Sequence, residues 1–242
     1  MPEQTETAVP SPWTRPSFVA AAALVGAVAI AGAVIALSAP GRTPDAVAPA
    51  APTVGTAPEP APSVLPTAIP TRPPTDVTWA LVGQQAVPTS PTAGPHTVQN
   101  GVAAGYAHTP DGALLAAAQL TVRSGHSAGR ASWEPTITRQ FTPGPDRDRL
   151  LAALRAAPPA TPEPGELSPL AGYLYQAYTP DTAVIGLVYR AVATGTATYQ
   201  VVATTLVWHD GDWAMVPPPG GSWLSVNRQT PDLTGVTGWG AN

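Results

Sequence analysis

The chain contains no cysteine. That excludes disulfides, thiolate nucleophiles, cysteine-ligated zinc, iron–sulfur clusters and lipid attachment at an N-terminal cysteine, and it leaves the redox compartment without a marker. It contains no lysine either: all eleven Lys/Arg positions are arginine, charged residues make up 11% of the chain, and the net charge is −4. No segment is a basic run, so the electrostatic footprint of a nucleic-acid binder is missing and no direct nucleic-acid contact is expected. The four histidines, His96, His108, His126 and His209, fall at no metal-ligand spacing, and no H-E-x-x-H occurs. From this inventory no catalytic residue, cofactor-binding residue or metal ligand is expected.

Proline is abundant. The chain has 32 prolines, well above the usual share of about 5%, and they crowd its N-terminal part. Pro40–Pro74 reads PGRTPDAVAPAAPTVGTAPEPAPSVLPTAIPTRPP. Such a segment cannot bury enough apolar surface to offset the entropy of ordering. Proline also removes backbone donors and favours polyproline II. At ~3.1 Å per residue this stretch would reach on the order of 100 Å, which makes it a stalk.

Before the stalk lies a long apolar run. Phe18–Ala39, FVAAAALVGAVAIAGAVIALSA, carries no charge and has no polar face. At 1.5 Å per residue it spans about 33 Å, the thickness of a bilayer's hydrocarbon core. A cleaved signal peptide would have a basic start and an apolar core of about 7–15 residues. Here Glu3 and Glu6 stand against Arg15, and the run is longer. The expected organisation is a short cytoplasmic tail (1–16), a transmembrane helix (17–39) contacting the bilayer through 18–39, a disordered linker (40–75), and an extracytoplasmic domain (76–242). Arg15 and Arg42 flank the span almost evenly, so charge alone does not set its orientation.

Within 76–242 the apolar period changes once. Val77–Val87 reads as a strand or extended arm. Thr109 as N-cap, Pro110 at the first helical position and Asp111 in the first turn predict a helix over Pro110–Arg123, with Gly112 as the dissenting residue. Trp133–Phe141 and Asp146–Ala157 are shorter helix candidates. After Pro169 the period becomes two. Gly172–Thr179, Ala183–Ala193, Ala197–Trp208 and Asp212–Pro217 read as four strands, the last pair joined by Asp210-Gly211, a short-hairpin signal. Ser222–Val226 reads as an edge strand and Trp239 as a core cap. Helices followed by an antiparallel meander define an α+β class, with helices on one face of a curved sheet.

The search for chemistry yields little. Gly125-His126-Ser127-Ala128-Gly129 fits G-x-S-x-G, but a nucleophile elbow needs a strand before it and a helix after it, and here a helix is expected first. Asp181, Asp210 and Asp212 fall at expected turns, where Asp serves the backbone. His209 beside Asp210 reads as turn chemistry. Tyr173, Tyr175, Tyr178, Tyr189, Tyr199, Trp208 and Trp213 are spaced like sheet residues, either core or an exposed aromatic patch.

Two segments carry a resemblance. Gly105–Ala117, GYAHTPDGALLAA, resembles the signature G-[FY]-A-H-T-P-[ED]-G-A-L-L-A-A of actinobacterial membrane proteins associated with integrative and conjugative elements. Trp208-His209-Asp210-Gly211-Asp212-Trp213 is similar to the W-x-x-G-D-W hairpin of that group. The resemblance implies a cystatin-like cone, the fold of nuclear transport factor 2, with helices packed on a curved antiparallel meander. It implies kinship with scaffold proteins of conjugative transposons and type IV secretion. Such proteins are assembly parts rather than enzymes, with other envelope or channel proteins, or a second copy, as partners. The runner-up expectation is a tethered small-molecule-binding or isomerase-like cone. The third is a hydrolase using Ser127.

Overall fold

The helix expected after Thr109 is present as α1, Pro110–Arg123. Thr109 Oγ1 accepts the Gly112 amide proton at 3.1 Å. Asp111 in the first turn and Arg123 in the last complement the helix dipole. The computed structural model describes residues 65–159, 162, 166–193 and 196–241. The expected tail 1–16, span 17–39 and most of the linker 40–75 lie outside the described residues. Among the described residues no helix is long and apolar enough to cross a membrane.

Two short hairpins precede α1. β1 (Thr78–Val82) pairs antiparallel with β2 (Gln85–Thr89), and β3 (Thr97–Gln99) with β4 (Val102–Ala104). The expected single arm Val77–Val87 is therefore corrected: it folds back at Gly83-Gln84. The second hairpin turns at Asn100-Gly101, both with positive φ, as a two-residue type I′ loop requires.

After α1 come a 3-10 turn, α2 (Arg130–Gln140) and α3 (Pro145–Ala156). The short helix expected from Trp133 starts earlier and carries Pro135 inside it. In α3, Leu150 and Leu151 are buried while Asp148, Arg149 and Arg155 are exposed.

The meander forms as expected. β5 (Leu170–Thr179), β6 (Thr182–Ala193), β7 (Thr196–His209) and β8 (Asp212–Met215) pair antiparallel in sequence order. β5 has register shifts at Leu170/Gly172 and Tyr175/Ala177, and bulges of this kind bend a strand. The edge strand expected at Ser222–Val226 is displaced. Trp223–Val226 is a 3-10 turn, and β9 (Asn227–Thr230) pairs with β7 directly after it. β10 (Thr237–Gly238) pairs with β5 at the opposite edge and places Trp239, 7% exposed, in the core.

The architecture is α+β, with antiparallel sheets and three α-helices among the described residues. α1 lies against β6, β7 and β8 on one side and against β2, β4 and α2 on the other. This explains its composition. Ala113, Leu114, Leu115, Ala116, Ala117 and Leu120 are all fully buried, as a helix apolar all round must be. Its alanines allow close approach to neighbours. Gly112 is explained by the same crowding, because a Cβ there would overlap the Ala107 backbone.

Candidate functional site

The two segments singled out in the sequence meet in space. Asp212, at the start of β8, accepts the amide protons of Gly105 at 2.8 Å and Tyr106 at 3.0 Å. Trp213 Nε1 donates to the Ala107 carbonyl at 3.0 Å. His108 stacks on Trp208, with centroids 3.8 Å apart and planes 4° from parallel, and lies edge-on to Trp213 at 5.9 Å. His108 Nε2 is also 2.6 Å from the Pro180 carbonyl oxygen. Every polar group of this knot that reaches across the chain binds backbone. Asp212 therefore does more than the expected turn chemistry: it fixes the entry to α1. His108 shapes that same entry.

The expected sheet aromatics form a ladder on the inner face. Trp239 meets Tyr173 at 5.7 Å, Tyr173 meets Tyr175 at 5.7 Å, Tyr175 meets Tyr178 at 6.3 Å, and Tyr178 meets Trp213 at 6.2 Å. The first three contacts are edge-to-face, the geometry that ring quadrupoles prefer. Tyr175 Oη donates to the Pro110 carbonyl at 2.5 Å and pins the helix start to β5. Leu114, Leu115, Ile137, Leu187, Leu206 and Met215 fill the centre of the domain, each fully buried.

The remaining candidates stay apart. Gly125–Gly129 lies on the 3-10 turn between α1 and α2, so Ser127 follows a helix and not a strand. His209 Nδ1 lies 3.0 Å from Asp210 Oδ2 on an exposed turn whose Asp210 and Gly211 have positive φ. Among the described residues no three His, Asp or Glu side chains converge as metal ligands.

The sequence reading missed three polar features. Gln119 is fully buried; its Nε2 donates to the Pro88 carbonyl at 2.8 Å, and its Oε1 accepts from Arg123 Nε at 2.7 Å. A lone Gln in an Ala/Leu helix was the available signal. Asp76 receives hydroxyl protons from Thr92 at 2.6 Å and Ser90 at 2.7 Å, which hold its pKa below the usual range. Asp111 is shifted the other way, first by burial and then by the Asp76 charge.

Two surfaces remain. On the sheet face turned away from α1, the register aligns Leu174, Val184, Gly186, Ala203, Thr205 and Val207. None is charged. From Ala183 to Tyr189 β6 is apolar on both faces, whereas an antiparallel strand with one solvated face alternates; the exposed Arg190 follows on the outer face. The second surface is a cleft of about 580 Å³, counted with its part open to solvent, at the rim of the domain. It lies between the β1–β2 hairpin, the end of α1 and the Leu170 and Tyr189 corner of the sheet.

Fold and site together define a small α+β domain in which a helix is clasped between an antiparallel sheet and two hairpins, and whose two most distinctive segments bind each other. The chain belongs to the family described as "Domain of unknown function (DUF8175)", whose model matches residues 39–238. No curated protein and no solved structure matches it.

Proposed function

We propose that this chain is a single-pass envelope protein that serves as a non-catalytic scaffold or assembly component of a conjugative DNA-transfer apparatus of type IV secretion kind. In this reading 18–39 crosses the bilayer, the proline-rich stretch holds the domain off the membrane, and the domain is extracytoplasmic with a cystatin-like cone. The observation that carries the proposal is the uncharged outer sheet face around Gly186 and Ala203, a surface composed for contact and not for solvent. The filled interior favours an assembly part over a cavity enzyme. The resemblance of Gly105–Ala117 to proteins of conjugative elements supplies the apparatus. The family match, residues 39–238, covers the proline-rich stretch together with the domain.

The test is a photo-crosslinking amino acid placed at Val184 or Thr205 in intact cells. The expected adducts are envelope components of a transfer channel or second copies of this chain. Capture of neither, together with a gene neighbourhood free of transfer and secretion components, rejects the reading.

A further inference from the structure

The rim cleft contains a polar group with no partner. Tyr189 is 8% exposed. Its hydroxyl makes no hydrogen bond among the described residues, and burial alone raises its pKa, so it stays a neutral phenol with a proton to donate. The Tyr189 side chain lines the cleft with Trp79, Leu81, Ala118, Val122 and Leu170. Among the described residues no charged residue lines it. Leu81, 71% exposed, forms an apolar lip at its mouth.

The cleft is held open by specific bonds. Gln84 Nε2 donates to the Pro162 carbonyl at 2.5 Å, and Gln85 Nε2 reaches the Ser168 carbonyl at 3.4 Å. Gln119 ties β2 to α1 through Pro88. The hairpin is thereby fixed at a set distance from the sheet corner.

We propose that this cleft binds a small, uncharged aromatic molecule whose hydrogen-bond acceptor meets the Tyr189 hydroxyl and whose ring packs among Trp79, Ala118 and Val122. Each feature follows from the lining. A charge would be buried without a counter-charge, which is costly. Two aromatic side chains in an apolar wall favour a ring. The space inside it that a water-sized sphere can reach, about 140 Å³, is on the scale of a cavity that holds one benzene ring. The site is separate from the outer sheet face, so it stands whether or not the chain assembles into a transfer channel.

The test uses the full chain in detergent micelles with 4-fluorobenzamide as probe, read by its fluorine resonance. The expected result is a saturable shift and broadening beyond that given by empty micelles. Tyr189→Phe is expected to weaken binding about fivefold, the loss of roughly one hydrogen bond. Ala86→Trp, which fills the cleft from a half-buried position on β2, is expected to abolish it. A response equal to that of empty micelles overturns the proposal. So does binding that Tyr189→Phe leaves unchanged. Should Ala86→Trp fail to fold, the Tyr189→Phe titration alone decides.

Discussion

The Asp212 carboxylate accepts the Gly105 amide proton at 2.8 Å across a separation of 107 residues. A second bond, from the Tyr106 amide, shares the same carboxylate. Together they clamp the start of α1 to the β7–β8 hairpin. Hydrogen bonds to a charged acceptor are worth more than neutral ones. Asp212→Ala is expected to destabilise the domain by about 2–3 kcal/mol, and Asp212→Asn, which keeps one acceptor oxygen, by about half of that. Urea unfolding followed by tryptophan fluorescence measures both.

Gly112→Ala tests crowding against propensity. Within a helix Ala is favoured over Gly by about 1 kcal/mol. Here the added Cβ would overlap the Ala107 backbone, so a net loss of about 1–3 kcal/mol is expected. A gain in the unfolding midpoint would show that the entry to α1 yields to the methyl group.

Gln119 bridges α1 to the first hairpin and to Arg123. Gln119→Met keeps the length and removes both bonds, leaving the Pro88 carbonyl and the Arg123 Nε unpaired. A loss of about 2–3 kcal/mol is expected. Hydrogen exchange should report it first at β1 and β2, which depend on this tie.

Asp111 and Asp76 predict opposite responses to pH. Burial and the Asp76 charge raise the Asp111 pKa above its unfolded value. A carboxyl so shifted favours folding below the unfolded pKa, and that contribution is lost as pH rises through the folded one. Asp111→Asn is thus expected to gain stability at neutral pH, by under ~1 kcal/mol given its partial exposure. The gain should fade below about pH 4. The Thr92 and Ser90 hydroxyls lower the Asp76 pKa, so its contribution is present above the unfolded pKa and lost in acid. Asp76→Asn is expected to lose stability at neutral pH and to match the parent in acid. Unfolding midpoints across the pH range check both signs.

The parts of the fold that were legible in the sequence are those governed by near neighbours. Thr109-Pro110-Asp111 marked the start of α1 because capping and dipole effects act within one turn. Asp210-Gly211 marked its hairpin because only a few residue types accept positive φ. The β1–β2 turn was hidden because Gly83-Gln84 is not one of the Asn-Gly or Asp-Gly pairs that most strongly mark a hairpin. The β3–β4 hairpin was hidden because its strands are three residues each, too short for a period to register. Trp239 was readable as a core residue from its size, but not its partners, Tyr173 at 5.7 Å and Trp79 at 5.2 Å.

The sequence by itself determined the uncharged run Phe18–Ala39, the proline-rich stretch after it, and the order of the helices before the four-strand meander, because composition and periodicity are properties of contiguous residues. Only the tertiary structure decided that Asp212 serves the backbone of Gly105 and Tyr106, that His108 lies flat on Trp208, and that Tyr189 lines a rim cleft with Trp79 and Leu170. Those relations depend on strand register and on which layers close over α1, and chain separation carries no trace of either.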